Sequence, residues 1–173
     1  MALVGPTYAG FVVFLRTVVG ISTSVLPDSA PVIPVAYSVA LQTVNPQLAM
    51  VACALPGAPL PDNTPSMYAL AVYNLGADNI INYAPDVSPP VAYNAADNKD
   101  NLPYFAYFRA KWKCLDFVSG VVQSSGDEGT NVGLVVPEQM KELTLGNLAN
   151  LKTPYGRRYL GIAQSVGTNW GLT

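Results

Sequence analysis

The chain has 173 residues, of which 50% are hydrophobic and 12% are charged, and its formal net charge at neutral pH is −2. This length suits one domain with a buried core and leaves little room for a second. Histidine is absent, which removes the commonest general base and the commonest metal ligand, so the composition argues against an enzyme and against a metal or other cofactor.

Charge is sparse and unevenly distributed along the chain. Up to Asn98 there is one basic residue, Arg16, against five acidic ones, whereas the remainder has eight basic and six acidic residues. A surface with so little charge is often covered by neighbouring molecules. We therefore expect a subunit of an assembly, the alternative being an apolar, poorly soluble domain.

Two features bear on the compartment. Cys53 and Cys114 lie in apolar surroundings and are too few for a disulfide framework, so buried free thiols and a reducing cytoplasm are expected. The apolar run Leu3–Leu26 is interrupted by glycines, a proline and Arg16, with no basic residue before it. That pattern fits neither a membrane span nor a signal peptide, so we expect a soluble protein without a cleaved leader.

The first part of the chain predicts two or three helices. Apolar residues recur at helical spacing between Thr7 and Val19, where Gly20 ends the pattern. A second helix is predicted from about Val35 to Thr43, entered through two prolines. The apolar stretch Pro46–Leu55 is predicted to be helical too, and a breaker-rich loop follows it.

The most hydrophobic helix is predicted from about Pro65 to Tyr83. Thr64 supplies a capping hydroxyl and Pro65 a first-turn proline. The helix is apolar on most sides, as in the centre of a bundle, and Gly76 inside it predicts close backbone packing. A narrow polar row consists of Asn74, Asp78 and Asn82. It is expected to be hydrogen-bonded or to lie at a solvent edge, the alternative being a buried polar site at Asn74 and Asp78.

After the polar connection Ala84–Asn101, another helix is predicted from about Pro103 to Asp116. Its residues at core spacing are Phe105, Phe108, Trp112 and Leu115. Three basic residues alternate with them and are expected in solvent, namely Arg109, Lys111 and Lys113. Basic residues interleaved with aromatic ones also fit a nucleic-acid surface, which is the alternative.

A β-hairpin or extended arm is predicted between Gly120 and Val136. Two β-prone runs, GVVQ and VGLVV, lie on either side of the turn-forming segment SSGDEGTN. Asp127 and Glu128 lack the spacing of an EF-hand, so no calcium site is expected. The candidate contact residues of this loop are Val121, Val122, Asp127, Glu128, Val132 and Leu134.

The last helix is predicted to begin with Thr153 as its cap and Pro154 in its first turn, and to end near Gly167. Its apolar stripe consists of Tyr155, Tyr159, Ile162, Ala163 and Val166. Arg157 lies opposite this stripe and Arg158 at its border. These arginines are expected to pair with carboxylates of a neighbouring subunit, or else to form a solvated face.

Beyond that helix, Trp170 and Leu172 lie on a segment too short to form a core alone. An aromatic anchor on such a segment predicts docking onto a partner, the alternative being a clasp onto the chain's own bundle. The predicted partner interface therefore comprises Tyr155, Arg157, Arg158, Tyr159, Trp170 and Leu172.

These patterns predict a mainly α fold: a small bundle of four to five helices with a projecting loop or short β-hairpin and an extended C-terminal tail. The predicted organisation is one domain. Residues 1–118 form the bundle core, residues 119–136 the loop or hairpin, and residues 137–173 the last helix and docking tail.

The chain resembles the head-to-tail adaptor proteins, also called head-completion or connector proteins, of tailed double-stranded-DNA bacteriophages. The resemblance rests mainly on LKTPYGRRYLGIAQSVGTNWGLT, residues Leu151–Thr173, with support from Phe14–Pro27 and Tyr68–Asp86. It implies a structural protein of the virion neck, assembled in the bacterial host cytoplasm, rather than an enzyme.

By that resemblance, a closed homo-oligomeric ring of about twelve copies would lie beneath the portal, extend the DNA channel and present a platform for the tail, a nozzle or another neck protein. Residues Tyr155–Thr173 would reach along the portal subunits, and the loop Gly120–Val135 would form a second contact. Double-stranded DNA would pass during genome packaging and ejection without sequence-specific binding. No membrane is involved in this arrangement.

Three other functions fit parts of the sequence. A minor capsid, decoration or tail-tube subunit would share the structural character and differ in copy number. A small lytic hydrolase would need two carboxylates facing one cleft, for which Asp78 and Asp116 are the candidates. A nucleic-acid-binding module would depend on Lys111 and Lys113.

Overall fold

The computed structural model describes residues 5–44, 65–88, 90–116 and 149–165, together with the backbone of residues 124–127 and 130–133. Within these residues the chain forms five helices, which confirms the predicted mainly α bundle. In chain order the elements are α1 Tyr8–Phe14, continued by a π-helical turn Leu15–Val19, α2 Val32–Thr43, α3 Met67–Tyr83, α4 Tyr104–Lys111, β1 Ser124–Asp127, β2 Thr130–Gly133 and α5 Pro154–Ser165.

Helix α3 is the centre of the bundle. It packs most extensively against α5 and α2, and almost all of its residues between Ala69 and Ile81 are buried. A Cβ atom added at Gly76 would lie 2.8 Å from two ring carbons of Phe11 in α1, which confirms the close packing predicted there. The start of α3 was predicted wrongly, because the capping hydroxyl is that of Ser66, which accepts a hydrogen bond from the Ala69 amide at 3.1 Å.

Helix α1 follows the prediction closely. The Thr7 hydroxyl accepts a hydrogen bond from the Gly10 amide at 3.0 Å, and Gly20 ends the helical segment with φ of 80°, a left-handed conformation that favours glycine. Helix α2 begins at Val32, earlier than predicted, because Pro34 fits within the first turn, where a missing amide leaves no helical hydrogen bond unmade. The predicted helical stretch Pro46–Leu55 lies outside the described residues.

Helix α4 is shorter than predicted. The Asp86 carboxylate accepts hydrogen bonds from the Phe105 and Ala106 amides at 2.8 and 3.2 Å and so caps its first turn. The helix ends at Lys111, and Lys113 adopts φ of 52°, so the residues beyond it no longer follow helical spacing. Phe105 is fully buried as predicted, but Leu115 is 84% exposed and its placement in the core was wrong.

Arg109 was predicted to lie in solvent, but the structure shows it half-buried and hydrogen-bonded. Its Nε donates a hydrogen bond to the Ile81 carbonyl at 2.8 Å, and its Nη2 donates one to the Ala84 carbonyl. Both acceptors lie at the end of α3, where carbonyl groups lack helical partners. Arg109 therefore ties α4 to the end of α3.

We expect Arg109→Met to lower the free energy of unfolding by about 2 kcal/mol, because two charge-assisted hydrogen bonds are lost and two helix-end carbonyls lose their donor. Urea titration followed by far-UV circular dichroism measures this change. Lys113→Met is the matched control, since Lys113 is exposed, and it should shift the value by less than about 0.5 kcal/mol. Equal effects of the two substitutions would contradict the proposed role of Arg109.

A β-hairpin is present in the predicted region. β1 and β2 pair in antiparallel fashion, with Ser124 opposite Gly133 and Asp127 opposite Thr130. Part of the segment SSGDEGTN, which was predicted to be the turn, is therefore paired, and β2 reaches into the predicted run VGLVV. The run GVVQ and the rest of VGLVV lie outside the described residues. Backbone pairing in a short hairpin depends on turn length and register more than on the β propensity of its side chains.

Candidate interaction surfaces

The first turn of α5 is fixed by Thr153. Its hydroxyl accepts a hydrogen bond from the Gly156 amide at 2.9 Å, and Pro154 is the first helical residue, so the predicted cap is confirmed. The same hydroxyl donates a hydrogen bond to Oδ1 of Asp78 in α3. Thr153 and Asp78 are both buried, so this pair joins the start of α5 to the centre of the bundle.

Asp78 is only 1% exposed. Burial raises the pKa of its carboxyl group to about 6, although hydrogen bonds from Thr153 and Asn82 act in the opposite direction. Asn74 and Asp78 of the predicted polar row are therefore buried and hydrogen-bonded, whereas Asn82 is half-buried. Within it, the Asn74 amide donates to the Leu70 carbonyl at 2.7 Å, while Asn74 Oδ1 has no hydrogen-bond donor among the described residues.

The two carboxylates of the hydrolase hypothesis do not face one open cleft, because Asp78 is buried whereas Asp116 is exposed. In the described ranges, no group of three acidic or cysteine side chains lies close enough to hold a metal ion. The same ranges contain no helix that combines the length and the apolar character needed to cross a bilayer.

The structure separates the predicted partner-interface residues of α5 into two sets. Tyr159 is buried in the chain's own core, and the half-buried Tyr155 ring packs edge-on against Trp112, 6.4 Å between ring centroids. Arg157 and Arg158 are exposed, as their positions on the helix predicted. Trp170 and Leu172 lie outside the described residues. The aromatic residues thus hold α5 on the bundle, and the arginines are its accessible charged groups.

Neither Arg157 nor Arg158 forms a salt bridge with another described residue. The ion pairs among the described residues are Arg16–Asp28 and Lys111–Asp97. Both arginines follow directly after the first turn of α5, and that turn contains no acidic residue. The positive end of the helix dipole lies there and disfavours cations. An anionic partner would offset this cost.

Few of the candidate loop residues are described. Asp127 is the last residue of β1 and Val132 lies within β2. Val121, Val122, Glu128 and Leu134 lie outside the described residues, so their predicted contact role stays a prediction.

Sequence reasoning missed an exposed apolar face on α2. Val35 and Val39, one turn apart, are 59% and 47% exposed, and α2 contains no charged residue. Between residues 5 and 44 the only charged side chains are Arg16 and Asp28, and these pair with each other at 2.5 Å. The centre of this face could have been found in the sequence, because Val35 lies about 100° or more around the helix from each of the buried Ile33, Ala36 and Ala40.

A second uncharged feature, here called the α1 groove, lies between α1 and the start of α3. Its volume is about 360 Å³, and it is lined mainly by Thr7, Gly10, Val13, Thr17, Pro65 and Tyr73. Its hydroxyl groups already have partners: the Tyr73 hydroxyl accepts from the Thr7 amide at 3.0 Å, and Thr17 donates to the Val13 carbonyl at 2.8 Å. The groove therefore offers an apolar surface.

No protein-family model, curated protein or solved structure matches the chain significantly.

Proposed function

We propose that the protein is a structural subunit of a bacteriophage neck, in which copies form a closed ring that joins the portal to the tail and extends the DNA channel. The observation that carries this proposal is the exposed face of α2, defined by Val35 and Val39. The resemblance of the chain to head-to-tail adaptor proteins supplies the place in the particle.

The α2 face has the properties of a surface that is covered in an assembly. Two valines one turn apart are about half exposed, and no charged residue of α2 surrounds them. The centre of a protein–protein interface is typically depleted of charge and apolar, with polar groups at its rim. A neighbouring copy of the same chain would bury these valines, and repetition of one such contact by rotation generates a ring.

Arg157 and Arg158 provide a second kind of contact. They are exposed on a helix held firmly by Thr153 and Tyr159, so their position is fixed by the bundle rather than by a mobile loop. Guanidinium groups form bidentate hydrogen bonds with carboxylates. We assign these arginines to acidic side chains of the portal or of the adjoining neck protein.

The α2 contact predicts a change of oligomeric state. Val35→Glu combined with Val39→Glu should convert a ring into single chains, because each interface would then bury two unpaired carboxylates per copy. Size-exclusion chromatography with light scattering, or native mass spectrometry, measures the mass. Since both positions are exposed, the variant should keep the far-UV circular dichroism spectrum of the folded protein.

The matched control is Val91→Glu combined with Leu115→Glu. These residues are 69% and 84% exposed and do not belong to α2, so the control adds the same charge and should leave the ring intact. A protein that is monomeric before any substitution, or a ring that survives both changes on α2, would contradict the proposal. Copy number separates the neck from a decoration or tail-tube subunit, which would be present in far more than about twelve copies per particle.

A further inference from the structure

A closed ring of more than two copies needs two different contact surfaces on each subunit. Rotation from one copy to the next brings one surface of the first copy against another surface of the second, so the contact is heterologous. The α2 face supplies only one of these two surfaces. The surface that receives it has to lie elsewhere on the same chain.

The contact between α1 and α2 fixes the direction of the α2 face. The Tyr37 ring of α2 stacks on Phe11 of α1, 5.6 Å between ring centroids, and meets the Tyr8 ring edge-on at 6.0 Å. Val35 and Val39 each lie two residues from Tyr37, which places them about 160° around the helix from it. The α2 face therefore lies on the side of α2 away from α1.

The α1 groove lies on the opposite flank of α1. Val13 lines the groove and follows Phe11 by two residues and Tyr8 by five. It is therefore about 160° and 140° around the helix from the two residues that contact α2. The groove and the α2 face are thus on opposite sides of the α1–α2 pair, with both helices between them.

We propose that the α1 groove receives the α2 face of the next copy in the ring. This inference rests on the proposed function and identifies the second surface of the same contact. Each subunit then presents the α2 face on one side and the α1 groove on the other, which is the arrangement that head-to-tail repetition around a ring requires.

The two surfaces match in polarity. α2 contains no charged residue, and no charged side chain lines the described part of the groove. Val13 and Val18 of the groove lining are 58% and 56% exposed, so the contact would remove apolar surface from water on both copies. No charge would be left unpaired between them.

The two most exposed large apolar side chains of the described residues fit the α2 face less well. Leu115, 84% exposed, is directly followed by Asp116. Tyr83, 77% exposed, lies between two residues whose backbone carbonyls accept hydrogen bonds from Arg109. Docking of valines there would desolvate charged groups. The α1 groove instead offers an uncharged concavity of about 360 Å³.

A mixture of two variants, each lacking one surface, tests the inference. The α2 variant is Val35→Glu with Val39→Glu, and the groove variant is Val13→Glu with Val18→Glu. Each alone should be a single chain. Mixed in equal amounts, they should form a complex of two chains, with twice the mass in native mass spectrometry. One intact α2 face then meets one intact groove, and the glutamates on the remaining surfaces prevent further growth.

Val91→Glu combined with Leu115→Glu is again the matched control, because it adds the same charge outside both surfaces and should remain a ring. Far-UV circular dichroism shows whether the groove variant is folded. If it is not, Thr17→Arg, at another exposed lining residue, replaces it.

Two results would overturn the inference. One is a groove variant that still forms rings. The other is a mixture that remains single chains at concentrations far above those at which the parent ring assembles. In both cases the parent protein is a ring and the α2 variant is not, so the proposed function stands. A parent protein that is a single chain at every concentration instead refutes the proposed function, so the two failures are distinguishable.

Discussion

Replacing Gly156 with alanine should lower the free energy of unfolding by about 2–3 kcal/mol, whereas replacing Gly161 in the same helix should raise it. A Cβ atom at Gly156 would lie 2.1 Å from the carbonyl oxygen of Asn150. The obstacle is backbone rather than the end of a flexible side chain, so relief requires a shift of α5 or of the turn before it. Overpacking of this kind costs about 1–3 kcal/mol or more.

Gly161 is the matched control for this prediction. It is exposed, and an added Cβ would meet nothing within 4 Å. Alanine there should stabilise the protein by about 0.5–1 kcal/mol through helix propensity alone. Urea unfolding at one fixed protein concentration compares the two variants, because assembly would otherwise add to apparent stability. If both substitutions change stability in the same direction, the close approach of α5 to Asn150 is wrong.

The second large effect is a pH dependence due to Asp78. Burial raises the pKa of this carboxyl group from 3.8 to about 6 in the folded protein, so folding favours the protonated form. The resulting stabilisation is fully present below about pH 4 and is lost as the pH rises through 6. A shift of about two pKa units corresponds to about 3 kcal/mol.

Asp78→Asn removes this titration, and its amide oxygen can still accept the Thr153 hydrogen bond. The difference in unfolding free energy between the variant and the parent protein isolates Asp78 from all other carboxylates. We expect this difference to favour the variant by up to about 3 kcal/mol more at pH 8 than at pH 4. A difference that does not vary with pH would mean that Asp78 titrates at its ordinary value.

The elements predicted correctly are those determined by local sequence. The apolar spacing of Phe11 and Phe14 defines α1, and the Thr153–Pro154 pair defines the start of α5. Gly20 ends α1 in a left-handed conformation, which glycine adopts at no steric cost. Each of these signals depends on residues only a few positions apart.

The elements missed depend on contacts between distant residues. The carbonyl groups that accept hydrogen bonds from Arg109 belong to the end of α3, and the sequence around Arg109 does not predict these contacts. The Thr153–Asp78 bond likewise joins two helices far apart in sequence. The amphipathic pattern of α4 also predicted a helix through Leu115, but the helix ends at Lys111.

In the candidate site, too, local sequence predicted the features that depend on helix spacing but not those that depend on contacts between distant residues. Sequence spacing placed Arg157 and Arg158 on the outside of α5, as observed. Spacing alone could not tell whether Tyr155 and Tyr159 pack on the chain's own bundle or on a partner, because an apolar stripe fits either surface. The structure shows that both contribute to the core of the bundle.

We propose that copies of this chain form a closed ring through the α2 face, which cryo-electron microscopy of the purified protein can visualise. We expect a closed ring of about twelve copies in which Val35 and Val39 are buried between neighbours. Single chains at every concentration studied, or a ring whose α2 helices face solvent, would contradict it.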